Sequence, residues 1–482
     1  MTRFRLSSSA VLVALCAALS MGADECQPDD YVAPWPQSNV QPATYDESAV
    51  SGAMRHKAEA YDAWHKAWHQ PDKGGTVNVS FTDPSRTAVA GIDGYGDSTI
   101  WTGTYLASQS FRYHVTGDPE AKANAMRMVG TLDGHLHVTG APGYIARYWA
   151  TQATSPAYPG DAGCDADDRC HRVESGPYAG DWWSGETSRD QYTGWILGMS
   201  TAFDLIDDDA TKATIAADML EVFDMLVSHN WTIIRQDGQP SSVAPDLLPP
   251  AQLEWSLVTY HMTGDATALQ QVKNLVGNGA RIGFELAGID LFNRYSQYYS
   301  NNLGHSIWYV ILRLGKVYFG SDDYNWMLSY FNSSVETYSR LSHNAWFTGI
   351  YMSQGGWQPA PSDDPYMGQL TDDLTRFRPA PNTSYALPER DPSTYTVDPE
   401  SQTWIDLQTE FPFLIDAMGQ VQLQALQAFP VDQQCTTDFL WQRDPFTIPA
   451  CGTDNPQYVN PGVDYLVAYW LAEYEKLVDK TF

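Results

Sequence analysis

The feature that most constrains the fold is a six-residue segment that occurs twice in almost the same form. Tyr113-His-Val-Thr-Gly-Asp118 returns as Tyr260-His-Met-Thr-Gly-Asp265, and apolar residues recur at three- and four-residue spacing on both sides of each copy. Glycine can adopt the left-handed conformation that ends one helix, and aspartate can cap the start of the next. Each copy therefore predicts the turn of a helical hairpin.

Looser versions of this turn, at Phe319-Gly-Ser-Asp322 and Leu205-Ile-Asp-Asp208, extend the pattern. We predict helical hairpins at 98–138, 187–229, 250–279 and 303–341, further helices at 46–70, 404–428 and 462–480, and short peripheral strands at 76–81 and 232–235. Helix pairs repeated along one chain can stack as an open solenoid or close into a ring. Because helices at both ends of the pattern can pack together, we expect an all-α fold, an (α/α)6-like toroid with minor peripheral β-strands.

The first residues have the features of an export signal. Two basic residues within 1–5 precede an apolar stretch at 6–19, and Met21-Gly22-Ala23 is a small-residue cleavage motif. We therefore predict a signal peptide at 1–23, a Pro-rich segment at 24–45 and a single toroid domain at 46–482. The expected location is secreted or periplasmic, since no later stretch is apolar enough for a membrane span.

Export also predicts disulfide bonds, because cysteines pair in oxidising compartments. Cys164 and Cys170 are six residues apart, and Cys435 and Cys451 are sixteen residues apart. We predict these two pairs and leave Cys26 unassigned.

Composition limits the class of partner. The 58 acidic residues outnumber the 28 basic ones, and the net charge of -30 repels nucleic-acid phosphates and anionic membrane surfaces. Aromatic residues make up 13% of the chain, and such rings stack on apolar faces while their polar tips meet water. We expect a saccharide substrate, no nucleic-acid partner, no membrane span and no cofactor.

Several short motifs carry a family resemblance. Residues 101–109 (WTGTYLASQ), 139–147 (TGAPGYIAR) and 185–192 (GETSRDQY), with the Thr-Gly-Asp turns, are similar to the (α/α) toroid proteins of the six-hairpin glycosidase and polysaccharide lyase kind. The similarity covers about 46–480. It implies that the amino-terminal ends of the inner helices and the loops before them line a substrate cleft. It does not imply one activity, since a fold hosts many functions.

The densest group of candidate catalytic residues lies at 181–192. Glu186 and Asp190 are four residues apart, so at a helix start they would share a face and raise each other's proton affinity. Such a pair can supply an acid and a base to a glycosidic bond. The alternative is that both carboxylates favour the positive end of a helix, with Arg189 as an ion-pair partner. The other candidates of this group are Asp181 and Tyr192 for catalysis, and Trp182 and Trp183 for stacking on a sugar.

Asp97 is a further candidate catalytic carboxylate. It precedes the helix that begins near Trp101, a candidate substrate-binding residue, and would point into the mouth of a ring. The alternative is that Asp97 or Ser98 caps this helix. The string from Asp93 to Asp97 lacks the alternating ligands of a calcium loop, so we predict no metal there.

A second constellation lies at 295–308. The family resemblance implies an alternative chemistry here, because toroid lyases use an Asn and a His to neutralise a uronate and a Tyr to move protons. Asn302 and the catalytic candidate His305 are similar to that pattern, with two extra residues between the Asn pair and the His. The alternative is that His305 is a hydrogen-bonded core residue. The candidates for substrate binding are Tyr298, Asn302 and Trp308 here, and Tyr144, Arg147 and Trp357 elsewhere.

Three functions follow from these residues. The first is a glycoside hydrolase that uses carboxylates as acid and base, and we favour it. The second is a polysaccharide lyase that acts on a uronate, and the third is a non-catalytic carbohydrate-binding toroid. His65 and His69 have a spacing that suits zinc, but no third ligand is evident, so we predict no metal site.

Overall fold

The computed structural model describes residues 49–151, 169–277, 281, 284, 295, 298–358, 365–387, 390–434, 439 and 444–478. This part of the chain is mostly α-helical, which confirms the predicted class at that level. None of its helices combines the length and apolar character that crossing a membrane requires. The predicted signal peptide and Pro-rich segment lie outside the described residues. So do Cys26, Cys164 and Cys435, and the two disulfide pairings stay predictions.

The helices are numbered here in chain order. Their bounds are α1 Ala49–Trp68, α2 Ser98–Thr116, α3 Pro119–His137, α4 Arg189–Leu205, α5 Asp209–Ser228, α6 Pro249–Thr263, α7 Ala266–Val276, α8 Ser300–Tyr318, α9 Ser321–Phe331, α10 Ala345–Gln354, α11 Pro365–Arg376, α12 Pro399–Glu410, α13 Phe413–Met418 and α14 Val463–Tyr474. A 3₁₀ turn at Tyr95–Asp97 precedes α2, and a π-helical turn at Asn332–Glu336 follows α9.

Both copies of the repeated turn join two helices as predicted. Gly117 has a φ of 67° and Gly264 a φ of 68°, and each donates its backbone N–H to the carbonyl of the tyrosine four residues earlier. Asp118 and Asp265 then cap the next helices, because each side chain accepts a hydrogen bond from a backbone N–H of the first turn. The predicted hairpins are confirmed as α2–α3, α4–α5, α6–α7 and α8–α9.

Three local predictions are wrong. The segment 404–428 is not one helix, since α12 and α13 meet at Pro412 and no helix continues beyond Met418. The aromatic- and Pro-rich segment 352–403, whose composition predicts one long loop, instead contains α11 and the start of α12. Helices α11 and α12 each begin with a proline, a residue that fits the first helical position because its missing N–H is not needed there. The segment 232–235 forms only single β-bridges instead of a strand.

The strands form two small antiparallel sheets. Their bounds are β1 Asn78–Phe81, β2 Val89–Asp93, β3 Tyr148–Ala150, β4 Cys170–Arg172, β5 Trp182–Ser184, β6 Asn382–Ser384 and β7 Asn455–Asn460. The first sheet has the order β2-β1-β7-β6 and the second the order β3-β5-β4. β1 confirms the predicted strand at 76–81. It pairs with β7, which places Val79 opposite Val459 and joins parts of the chain that are far apart in sequence.

Helices α2 and α4 are in direct backbone contact. A Cβ atom on Gly103 would lie 1.9 Å from the carbonyl oxygen of Gly194, and one on Gly198 would lie 2.4 Å from the carbonyl oxygen of Gly103. A Cβ atom on Gly194 would in turn lie 2.3 Å from the Cα of Ile100. Since Ile100 and Gly103 face Gly194 and Gly198 in the same order, the helices run in the same direction. Their amino-terminal ends therefore lie side by side.

We expect Gly103→Ala and Gly198→Ala each to destabilise the fold by about 1–3 kcal/mol, the usual cost of overpacking, because each glycine faces backbone that cannot rotate away. Gly130 is the matched control, since it is exposed on α3 and no atom lies within 4 Å of an added Cβ. Gly130→Ala should raise stability by up to about 1 kcal/mol through helix propensity. Urea unfolding followed by circular dichroism measures all three, and equal effects would contradict the close contact.

Candidate functional site

The starts of α2 and α4 bring together candidate residues from two parts of the sequence. Gln191, which is fully buried, donates from Nε2 to Oδ1 of Asp97 at 3.1 Å and accepts at Oε1 from the backbone N–H of Ile100 at 3.0 Å. Asp190 accepts hydrogen bonds from the hydroxyl of Ser188 and from the backbone N–H of Gln191. Both carboxylates are partly exposed. Two carboxylates thus lie at neighbouring helix starts.

Arg147 links the segments that precede these two helices. Its guanidinium donates to the carbonyl oxygens of Gly96 at 2.7 Å and Glu186 at 2.8 Å, and to the hydroxyl of Ser188 at 2.7 Å. It also lies 3.6 Å from Oδ1 of Asp97. Arginine suits this position because its planar fork can donate several hydrogen bonds at once. The residue predicted to bind substrate therefore also fixes the geometry of the site.

Glu186 does not share a helix face with Asp190, contrary to the prediction. α4 begins only at Arg189, and Glu186 has left-handed backbone with a φ of 53°. Its carboxylate forms an ion pair with Arg235 and accepts hydrogen bonds from the backbone N–H and the hydroxyl of Ser242, at 2.8 and 2.6 Å. Although burial opposes ionisation, these hydrogen bonds and the Arg235 charge lower the pKa of Glu186 to about 2. Such a carboxylate is poorly suited to donate a proton.

Ionised Glu186 should stabilise the fold. Because its pKa is lower than the ordinary value of 4.5, this stabilisation is fully present above pH 4.5 and is lost as the pH falls towards about 2. We expect Glu186→Gln to lower the free energy of unfolding at neutral pH. We also expect the free energy of unfolding of this variant to decrease less steeply as the pH falls. Asp237→Asn is the matched control, since Asp237 pairs with the same Arg235 from an exposed position. Urea unfolding across this pH range measures both, and an unchanged slope in Glu186→Gln would refute the ion pair.

Asp181 belongs to a different set of contacts. Its Oδ2 accepts a hydrogen bond from the indole Nε1 of Trp149 at 2.8 Å. Nζ of Lys73 lies 3.9 Å from the same oxygen and 4.5 Å from the centre of the Trp149 ring. These contacts place Asp181 as an anchor between β3 and the loop before β5, and its catalytic role stays a prediction.

The tryptophan candidates near this site lie inside the protein. Trp182 and Trp183, which the sequence predicted to stack on a sugar, are in β5 and are 2% and 3% exposed. The guanidinium of Arg172 lies 4.6 Å from the first ring, and the ring of His171 stacks on the second at 4.1 Å. Trp101 is 4% exposed. In this arrangement the three indoles support the site without offering an open face to a sugar.

Tyr144 and Tyr192 hold the loop before β3. The hydroxyl of Tyr192 donates to the carbonyl of Gly143 at 2.9 Å and accepts from the N–H of Ile145 at 3.2 Å. The hydroxyl of Tyr144 accepts from the N–H of Thr187 at 3.2 Å. Burial raises the pKa of both phenols. These contacts give both tyrosines a supporting role, and the catalytic role of Tyr192 stays a prediction.

The second constellation is part of the core. His305 is fully buried, and its Nδ1 lies 2.7 Å from the carbonyl oxygen of Asn301. Its Nε2 lies 3.1 Å from the hydroxyl of Ser339 and 3.5 Å from the carboxylate of Glu336. Both ring nitrogens thus have protein partners, as the core alternative requires. The other candidates are Tyr298, Asn302 and Trp308, all at most 5% exposed, and Trp357, which is half-buried.

The sequence analysis missed several buried acids, among them Asp373 and Glu254. Asp373 is 1% exposed, its Oδ1 lies 2.7 Å from Nδ1 of His343 before α10, and burial raises its pKa to about 6. Glu254 in α6 is fully buried, and no described residue donates a hydrogen bond to either oxygen. Burial therefore raises its pKa well above the ordinary value. Neither acid lies in a motif, so only the three-dimensional arrangement reveals them.

No protein-family description matches the chain, and no curated protein matches it. The function must therefore be inferred from the geometry of the site.

Proposed function

We propose that this protein is an exported carbohydrate-active enzyme that cleaves glycosidic bonds of an oligo- or polysaccharide. The observation that carries the proposal is the pair of partly exposed carboxylates, Asp97 and Asp190, at adjacent helix starts. Glycoside hydrolysis needs two carboxyl groups, one that protonates the leaving oxygen and one that activates water or attacks the sugar. Arg147 and Gln191 would hold these groups in fixed positions.

Helix capping does not account for Asp97. It occupies the N-cap position of α2, but its side chain makes no capping hydrogen bond there. It accepts instead from Gln191, a residue of the neighbouring helix. Whether or not Asp97 caps α2, the interaction of its carboxylate with the helix amino terminus contributes favourably to stability. The orientation of Asp97 towards the second helix supports a role beyond the local one.

We further propose that the helices close into an (α/α) toroid. In support, α2 packs on α4, α4 on α6, α6 on α8, α8 on α10, α10 on α14, and α14 on α2. Helices α1, α3, α5, α7, α9 and α11 pack against members of this series. In such a ring the inner helices run in one direction, so their amino-terminal ends would meet at one rim. Asp97 and Asp190 would then lie on the rim of the substrate cleft.

The products distinguish this proposal from its two alternatives. A polysaccharide lyase would create a double bond that absorbs in the near ultraviolet, and a carbohydrate-binding toroid would release no product. The buried and fully partnered His305 does not favour the lyase. We therefore expect reducing ends without new ultraviolet absorbance when the protein is incubated with a panel of neutral and uronic polysaccharides.

We expect Asp97→Asn and Asp190→Asn each to lower the rate of reducing-end release at least about a hundredfold, the lower limit for losing a general acid or base. Asp209→Asn is the matched control, because Asp209 is an exposed carboxylate at the start of another helix, α5, and its rate should not change. Circular dichroism confirms that each variant is folded. Full activity in both Asp97→Asn and Asp190→Asn would exclude these two carboxylates as the catalytic pair.

A second assay separates the roles of the two carboxylates. The variant that lacks the acid should still cleave an aryl glycoside whose leaving group needs no protonation. The variant that lacks the base or nucleophile should lose this activity and regain it when azide is added. Identical behaviour of the two variants would contradict the division of roles.

A further inference from the structure

A group of ionisable side chains lies between α3 and α5, apart from the proposed catalytic pair. Asp133 and His137 are one helical turn apart on α3, and Asp218 faces them from α5. One potential ligand atom from each of these residues lies within 4.8 Å of the others. Oε2 of Glu221, also on α5, lies 3.6 Å from Nε2 of His137. Three carboxylates and one imidazole thus meet at one place.

Asp218 gives independent evidence that this group can bind a ligand. Only 3% of the residue is exposed, and Oδ2 receives no hydrogen bond from any described residue. A buried carboxylate oxygen without a donor costs free energy, and native proteins seldom keep one unless an ion or another group satisfies it.

The orientation of His137 suits a metal ligand. Its Nδ1 lies 2.9 Å from the carbonyl oxygen of Asp133 and 3.1 Å from Oδ1 of the same residue. An imidazole that donates from Nδ1 in this way can present its other nitrogen, Nε2, to an ion, an arrangement common around metal-bound histidines. The side chains of His137 and Asp133 are 38% and 33% exposed. An ion can therefore enter from solvent and meet Asp218 at the inner wall.

We propose that Asp133, His137, Asp218 and Glu221 bind a divalent transition-metal ion of the zinc class. Zinc accepts one imidazole nitrogen and carboxylate oxygens at about 2.0–2.2 Å, so side-chain rotations would draw the four groups together. Calcium and magnesium prefer oxygen ligands alone, which makes the imidazole a discriminating feature.

The bound ion would connect α3 and α5 to the loop that contains Gly143. This loop lies beside the proposed catalytic pair, Asp97 and Asp190. Oε1 of Glu221 accepts a hydrogen bond from the backbone N–H of Gly143 at 2.9 Å. The loop that contains Gly143 continues to Arg147, which fixes the starts of α2 and α4. The site would therefore stabilise this loop without taking part in the reaction.

Calorimetric titration of the full chain with zinc chloride, after removal of bound metal by a chelator, tests the proposal. We expect zinc to bind more tightly than calcium and to raise the melting temperature. Asp218→Asn and His137→Gln should each lower the zinc affinity at least about tenfold. His343, Asp372 and Asp373 form another group of similar spacing, so the variants identify the site where stoichiometry alone would not.

Two control variants test whether removing a negative charge or a histidine elsewhere on the protein is enough to weaken zinc binding. Asp224 is exposed on α5 and His229 follows the end of that helix, so Asp224→Asn and His229→Gln should bind zinc as the wild type does. Without zinc, Asp218→Asn should melt no lower than the wild type, since it removes an unsatisfied buried charge. If Asp218→Asn melts no lower than the wild type, its loss of zinc binding cannot be attributed to misfolding. No zinc binding by the wild type, unchanged affinity in both ligand variants, or tighter calcium binding would each overturn the proposal.

Discussion

The candidate site depends on the direct backbone contact between α2 and α4. Glycines at 103, 194 and 198 remove the side chains that would otherwise separate the helices. The hydrogen bond from Gln191 to Asp97 spans 3.1 Å, near the upper end of the usual range for an N–H···O bond. A wider spacing of the helices would break it. Residues without any functional group therefore set the positions of the proposed catalytic carboxylates.

Local sequence predicts this fold best where a turn carries its own conformational signal. The Thr-Gly-Asp turns require a left-handed residue followed by a cap, and only a few residue types satisfy both conditions. By contrast, Pro365 and Pro399 resemble loop residues in a linear sequence, although each begins a helix. The three-residue strands β3, β4 and β5 depend on pairing between distant segments, so their short sequences carry little signal of their own.

The site was predicted in part, and its failures have a common physical cause. The sequence correctly placed Asp97 and Asp190 at helix starts, and it selected Arg147 for substrate binding without revealing that this residue links the two starts. It placed Glu186 on α4 because a spacing of four residues suits a helix, whereas Ser188 is the N-cap and the helix begins after it. The partner that fixes the Glu186 carboxylate, Arg235, comes from a distant loop. Spacing along the chain cannot reveal a contact of that kind.

The pairing of β1 with β7, and the packing of α14 on α1 and α2, have a consequence for biosynthesis. On the ribosome the early helices emerge long before residues 455–474 exist to cover them. Contacts between such distant segments slow folding, and partly built structures expose apolar surface in the meantime. Nascent chains of this protein should therefore need a chaperone that shields the first helices until synthesis reaches the last ones.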